Sequence, residues 1–138
     1  MTQAILLKKA KLHPLSLLDR LTKDFLQEEY IFSQQFGTDI LLDRMKTLSQ
    51  SPMGAKPVFT IYPGGDCSFI NTLKEQSTIL QSQTEASSLA VLKEAVLEKI
   101  LGLSPEEQAL QLTYTEDLAA ALKATDEGDY ALCFILND

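Results

Sequence analysis

The sequence LQLTYTEDLAAALKATDEGDYALCFILND, residues 110–138, decides the predicted fold. Apolar and polar residues alternate at its start, which is typical of a strand with one buried face. An amphipathic helix follows, and Thr115 is its predicted N-cap because a side-chain oxygen can accept a hydrogen bond from the first turn. The apolar residues assigned to the strand are Leu110, Leu112 and Tyr114, and those assigned to the helix are Leu118, Ala121 and Leu122.

The same stretch closes on YALCFIL, residues 130–136, the most apolar segment of the chain. Since both of its faces are apolar, it is predicted to be a central strand that is covered on both sides. A strand, a short helix and a second strand at this spacing predict a right-handed parallel βαβ crossover.

A β-hairpin is predicted upstream of this unit. The strands PVFTIY (57–62) and CSFINTL (67–73) flank the turn PGGD (63–66), where glycine tolerates the positive φ that tight turns need. A Gly-Gly pair can also bind an anion through its backbone N–H groups. Because the pair lies between two strands and no Lys-Ser/Thr follows, it is not a P-loop, and a hairpin turn is the favoured interpretation.

The N-terminal part is predicted to be mainly helical. The apolar run 4–7 favours an edge strand, and the lysines at 8, 9 and 11 are typical of a strand edge kept soluble. Ser16 is the predicted N-cap of a first helix, with Asp19 three residues later as in a capping box, and this helix is expected to end near Glu29. A strand over 30–36 and a second helix over 38–48 follow.

The middle of the chain alternates polar and periodic segments. Residues 74–86 are polar and are predicted to form a surface connection. An apolar stripe predicts a helix over 89–101, and Gly102 stands where a left-handed C-terminal cap belongs. Ser104 followed by Pro105 is typical of a helix start, although only a short helix fits before the next strand. The stripe consists of Leu89, Leu92, Val96 and Ile100.

These elements predict one domain over residues 1–138, because a chain of 138 residues can bury a core of its own. A mainly helical part, 1–50, with possible short strands precedes a ββαβαβ part, 55–138. The predicted class is α/β in the sense of an α+β two-layer fold. Its mixed sheet contains the β-hairpin and the C-terminal parallel βαβ unit, and helices pack on the sheet.

The charge balance excludes some partners. The net charge of −7 at pH 7 opposes binding to nucleic-acid phosphates and to anionic membrane surfaces. No apolar run has the length of a membrane-spanning helix, and the N-terminus lacks the features of a signal peptide. The predicted location is therefore the cytoplasm, with neither a nucleic acid nor a membrane as partner.

The residues available for chemistry are sparse. His13 is the single histidine, and it lies at a helix entrance with no nucleophile motif beside it. Cys67 and Cys133 fall in predicted strands, where free thiols usually behave as small apolar side chains. We therefore predict no catalytic residue, no metal ligand and no cofactor, and the sequence leaves any cofactor-binding residues open.

Acidic residues cluster at predicted helix ends and turns, where they complement helix dipoles or remain solvated. The densest group is Asp126, Glu127 and Asp129. A Mg²⁺ site here is conceivable, but the spacing does not match a calcium-binding loop. A solvated turn is the favoured interpretation.

Three blocks of the sequence carry a family resemblance. They are FTIYPGGDCSFINTLK (59–74), SSLAVLKEAVLEKILGL (87–103) and LQLTYTEDLAAALKATDEGDYALCFILN (110–137). Together they resemble successive blocks of a widespread prokaryotic family, domain of unknown function 1015. KLHPLSLLDRL (11–21) matches the start of this region more loosely. The matching positions are residues 71–74, Leu89 to Leu97, Tyr114 to Ala121, Gly128 and Phe134 to Asn137.

The chain departs from that family in two ways. Full-length members carry an upstream Asp-Gly-His-His-Arg-type motif, similar to that of ParB-like proteins and free-serine kinases, and no Asp-Gly-His occurs in this sequence. Members also continue beyond the position of Asn137. The resemblance therefore implies the C-terminal portion of a larger protein, and no catalytic residue is carried over.

Two functions are predicted from these observations. The first is a non-catalytic accessory or interaction domain, because no convergent polar constellation is visible. The alternative is the nucleotide- or metabolite-binding part of a serine-kinase-like small-molecule phosphotransferase whose catalytic motif is absent from this chain. The predicted partner is either a missing upstream domain or a second copy, since an apolar face made for another domain drives self-association.

Overall fold

The described residues form a six-stranded sheet with helices packed on it. The computed structural model describes residues 2–9, 13–31, 38–50, 57–65, 67–74 and 92–137. The strands are β1 (Thr2–Leu7), β2 (Phe25–Ile31), β3 (Val58–Tyr62), β4 (Cys67–Leu73), β5 (Leu112–Thr115) and β6 (Leu132–Asn137). The helices are α1 (Pro14–Leu21), α2 (Thr38–Ser49), α3 (Leu92–Ile100), α4 (Pro105–Gln111) and α5 (Leu118–Asp126).

The strand order is β2-β4-β3-β6-β1-β5, and every neighbouring pair is antiparallel. The predicted hairpin is confirmed, since β3 pairs with β4 and places Val58 opposite Thr72. The central position of β6 is also confirmed, because Leu132 to Leu136 are all buried.

The predicted parallel pairing within the βαβ unit is wrong. β1 lies between β5 and β6, so that Ile5 is opposite Tyr114 on one side and Phe134 on the other. Because β5 and β6 are both antiparallel to β1, they run in the same direction without pairing. The sheet is therefore antiparallel rather than mixed, and β1 is an internal strand rather than an edge.

Helices cover both faces of the sheet. One face forms a first core with α1 and α3, and the opposite face forms a second core with α2 and α5. The α+β class is confirmed, but the fold has three layers instead of two, because β1, β3 and β6 bury residues on both faces. The first core includes Ile5, Phe25, Phe59, Val96 and Phe134, and the second includes Leu6, Leu41, Met45, Ala121 and Ile135.

The first helix is shorter than predicted and begins earlier. His13 is its N-cap, and its Nδ1 accepts a hydrogen bond from the N–H of Leu15 (3.2 Å). The predictions of Ser16 as N-cap and of a helix reaching Glu29 are wrong, and so is the predicted strand boundary at residue 30. β2 begins at Phe25, whose ring packs edge-on against Phe59 at 5.3 Å between centroids. The second predicted helix is confirmed as α2, Thr38–Ser49.

The helix predicted over 89–101 is confirmed as α3 for its described residues, 92–100. The surface connection predicted over 74–86 lies outside the described residues, except for residue 74. The hydrogen bonding of α3 is of the π type, as shown by the N–H of Leu101 donating to the carbonyl of Val96 (2.8 Å). This wider turn aligns residues five apart, so Leu92 and Leu97 both reach the first core. Gly102 has φ +68°, the left-handed conformation that was predicted.

The C-terminal helices are capped by short polar side chains. Ser104 and Glu107 form the two hydrogen bonds of a capping box at the start of α4. The N-cap of α5 is Asp117 rather than the predicted Thr115, and its carboxylate accepts from the N–H of Ala120 (3.1 Å). Thr115 accepts from the N–H of Asp117 (3.0 Å) and so supports the cap from two positions earlier in the chain.

A buried hydroxyl group gives a test of this packing. Thr60 lies on β3 and shares the face of Val58 and Tyr62, which belong to the second core. Its side chain is fully buried, and its Oγ1 has no hydrogen-bond partner among the described residues. Thr60→Val keeps the shape and removes the desolvated hydroxyl, so we expect the free energy of unfolding to rise by about 1 kcal/mol. Denaturant unfolding of the two proteins measures this difference.

Thr60→Ser is the matched control, because it keeps the hydroxyl and removes the buried methyl group. This variant should be less stable than the native chain by about 1 kcal/mol. If the Val and Ser variants were equally destabilised, the Thr60 hydroxyl would have a partner in solution and the assignment of its surroundings would be wrong.

Candidate functional site

Within the part of the chain that the structure describes, no strand pairs with the outer side of β2, which is the longer edge of the sheet. The N–H of Lys74 donates to the carbonyl of Asp24 (2.9 Å), and the hydroxyl of Ser68 donates to the carbonyl of Tyr30 (3.2 Å), so these carbonyls face β4. Since backbone groups alternate in direction along an antiparallel strand, every second residue of β2 points its N–H and C=O away from the sheet. The outward-facing residues are Phe25, Gln27, Glu29 and Ile31.

A groove runs beside this edge, between β2 and the C-terminal end of α2. Its volume is about 300 Å³, which is at the small end of ligand-binding cavities. Leu26 is 61% exposed at the edge, and Leu48 stands across from it on the helix. The groove is lined by Leu26, Gln27, Glu28, Thr47, Leu48, Gln50 and Thr72, a set with two apolar side chains and one charged group.

The two adjacent glutamates of β2 differ in their surroundings. Glu28 faces α2, and both of its carboxylate oxygens accept from Nε of Arg44, at 3.1 and 3.0 Å. Glu29 faces the α1 side, is exposed, and forms no ion pair with the described residues. The edge therefore carries one neutralised and one uncompensated negative charge at successive positions.

Gln27 fixes the strand from the side opposite the groove. Its side-chain Nε2 donates to the carbonyl of Leu18 in α1 (2.8 Å), while its backbone N–H and C=O point outward from the sheet. The Nζ of Lys74 similarly binds the carbonyl of Thr22 (2.8 Å). The first contact ties the edge strand to α1, and the second ties the end of β4 to the residue that follows α1.

The other edge of the sheet is shorter. β5 has four residues, Leu112–Thr115, and Tyr114 is half exposed there, with Nζ of Lys93 5.7 Å from the centre of its ring. The β2 edge has seven residues and an adjoining groove. Of the two edges, β2 therefore offers the larger surface for a ligand.

The residues singled out from the sequence do not converge at this groove. His13 caps α1 and contacts the backbone of Leu15. Cys67 is partly buried and Cys133 is buried, and both are free thiols on opposite faces of the sheet. Burial raises the pKa of the Cys133 thiol to about 12, while a hydrogen bond with Thr125 lowers it in part.

The Gly-Gly turn is used within the fold. The N–H of Gly65 donates to Oδ1 of Asp126 at the end of α5 (3.0 Å), and the hydroxyl of Tyr62 donates to the carbonyl of Gly65 (2.6 Å). The backbone donor considered for an external anion is therefore occupied by a carboxylate of the same chain. Across the described residues, no group of three His, Cys, Asp or Glu side chains is placed to hold a metal ion.

Comparison of the chain with models of protein families, with curated proteins and with solved structures gives no match. The resemblance to domain of unknown function 1015 stays a prediction. Among the described residues, no helix has the length and apolarity that crossing a bilayer would require.

The hydrogen bond between the turn and α5 can be tested directly. Asp126→Ala removes the acceptor of the Gly65 N–H, so we expect amide exchange at Gly65 to accelerate and the free energy of unfolding to fall by about 0.5–1 kcal/mol. Hydrogen exchange followed by NMR measures the first effect. Glu127→Ala is the control, since its exposed contact with Lys123 is 3.9 Å long and contributes under about 0.5 kcal/mol.

The two thiols should differ in reactivity. At pH 8 we expect a thiol-specific reagent to modify the Cys67→Ser variant, in which only Cys133 remains, at least roughly a hundredfold more slowly than the Cys133→Ala variant. The reason is that Cys133 is buried and protonated. Equal rates in the two folded variants would contradict the position assigned to Cys133.

The same thiol gives a pH dependence. Above its ordinary pKa of 9.0 the Cys133 thiol ionises in the unfolded chain, whereas in the folded chain it stays protonated to about pH 12. The folded state then binds more protons, so the contribution of this group to stability falls as pH rises from about 9 to about 12. Replacement of Cys133 by Ala should remove this part of the dependence of the free energy of unfolding on pH.

Proposed function

We propose that this chain is a non-catalytic interaction module that binds an extended polypeptide segment along β2 by strand addition. The observation that supports the proposal is the seven-residue edge strand, whose outward backbone groups lie beside a partly apolar groove. Strand addition uses both features, because main-chain hydrogen bonds hold the segment and pockets beside the strand select its side chains.

The backbone contribution is repeated along the edge. Gln27 and Glu29 each present one N–H and one C=O to an incoming strand. A hydrogen bond of this kind contributes about 0.5–1.5 kcal/mol net. The loss of conformational entropy when a flexible segment becomes ordered offsets several such bonds. Apolar contact with Leu26 and Leu48 supplies the additional affinity that an extended segment needs.

The alternative of a nucleotide-binding phosphotransferase part has less support. Phosphate groups are usually held by Lys, Arg or clustered backbone N–H groups. The described lining of the groove contains neither Lys nor Arg, and the nearby Arg44 is paired with Glu28. The N–H of Gly65 is paired with Asp126.

Strand addition can be tested with a labelled chain and a plain extended peptide. The probe is a peptide of about ten residues in which Val and Thr alternate, attached to a flexible Gly-Ser tail for solubility. On titration we expect the largest NMR shifts at the amides of Gln27, Glu29 and Ile31. The amides on the β5 edge, such as that of Tyr114, should remain unchanged.

Two variants separate backbone pairing from side-chain contact. Glu29→Pro removes an outward N–H that the sheet itself does not use, and Pro is tolerated on an edge strand, so binding should fall at least about tenfold while the fold persists. Glu29→Thr removes the charge but keeps the N–H, and this variant should still bind the uncharged probe. Equal binding by the two variants, or no shifts at β2 in any of the proteins, would refute strand addition.

A further inference from the structure

The charges and faces of β2 also point to the sequence of the segment that it accepts. Resting on the proposed function, we infer that the partner is an antiparallel segment of a different protein with a basic residue followed three positions later by a large aliphatic residue. The basic residue lies opposite Glu29 and the aliphatic residue lies opposite Leu26.

The aliphatic position follows from the alternation of side chains. Leu26 and Glu28 face the α2 layer, whereas Gln27 and Glu29 face the α1 layer. A residue directly opposite Leu26 shares its face and therefore points toward the groove. Leu26 and Leu48 line this groove, and its one charged lining residue, Glu28, is already paired with Arg44, so an aliphatic side chain can bury its surface there without leaving a charge unpaired.

The basic position follows from the difference between the two glutamates. Arg44 already neutralises Glu28, whereas Glu29 is exposed and has no cationic partner among the described side chains. Side chains directly opposite each other on paired strands have Cβ atoms about 5 Å apart, close enough for a Lys or Arg to pair with Glu29. A partner carboxylate at this place would be repelled.

The direction of the segment sets the order of these two residues. All five strand pairs in the sheet are antiparallel, and antiparallel pairing is slightly more stable per residue than parallel pairing. An antiparallel segment meets Glu29 before Leu26. The pattern is therefore basic, any residue, any residue, aliphatic.

The same charges disfavour a second copy of this chain as the occupant. When two β2 strands pair antiparallel about their midpoint, Glu28 lies opposite Glu28 of the other copy, and Glu29 lies opposite Gln27. Arg44 neutralises each Glu28, so the disadvantage of this pairing lies at Glu29, for which the opposite Gln27 supplies no cation. The net charge of −7 on each chain adds a repulsion between the two copies. A basic segment from another protein has neither disadvantage.

The test extends the alternating Val-Thr probe. One peptide carries Lys and Leu in the stated order three positions apart, a second replaces the Lys with Glu, and a third replaces the Leu with Ser. We expect the first to bind about tenfold more tightly than either of the others in a fluorescence anisotropy titration at low salt. Reversing the order of Lys and Leu should weaken binding to a similar extent.

A charge swap supplies the matched control. The Glu29→Lys variant should prefer the Glu peptide over the Lys peptide, and this reversal should shrink as salt is added. Leu48→Ala should reduce the advantage of Leu over Ser in the peptide and leave the preference for Lys unchanged.

The outcomes distinguish this inference from the function on which it rests. If the plain probe shifts the β2 amides but the Lys-Leu, Glu and Ser peptides bind equally, strand addition stands and the sequence preference is wrong. If no peptide shifts β2, the proposed function itself fails. Dimerisation of the free chain that Glu29→Pro abolishes, measured by sedimentation, would show that a second copy is the occupant and would overturn the inference.

Discussion

Insertion of β1 between β5 and β6 is the constraint on which the rest of the structure depends. β5 and β6 run in the same direction with one strand between them, a separation of about 10 Å that their backbones cannot bridge. β1 supplies ladder partners to both, with Leu6 opposite Thr113 on one side and Cys133 on the other. Without β1, the buried backbone groups of β6 that face away from β3 would have no partners, a cost that few proteins carry.

β1 also contributes side chains to both hydrophobic cores. Ile5 and Leu7 enter the first core beneath α1 and α3, whereas Ala4 and Leu6 enter the second core beneath α2 and α5. Burying an Ile or Leu side chain contributes about 1.5–3 kcal/mol, so this short strand stabilises both faces at once. The three-layer arrangement follows, because a central strand that is apolar on both sides requires helices on both sides.

The sequence predicts the local parts of this fold better than their assembly. The hairpin and β6 are predictable because short apolar runs rich in β-branched and aromatic residues lie next to turn residues. The place of β1 is not, since its partners are more than a hundred residues away and a short run such as Ala4 to Leu7 fits an edge or a centre equally well. Phe25 continues the helical spacing of Leu17 and Leu21, and Thr22 is a weak stop signal, so the start of β2 is hidden within an apparent helix.

The candidate site was hidden from the sequence for the same reason. FLQEEYI, residues 25–31, has adjacent acids at the predicted end of the first helix, and only the structure shows that Glu28 pairs with Arg44 while Glu29 does not. A long strand edge ordinarily favours uncontrolled pairing, and charged residues on the edge are a common defence. The charges on β2 discriminate between incoming strands, because carboxylates repel another acidic strand and attract a basic one. Under the proposed function, the uncompensated carboxylate of Glu29 would therefore favour a basic segment over a second copy of this chain.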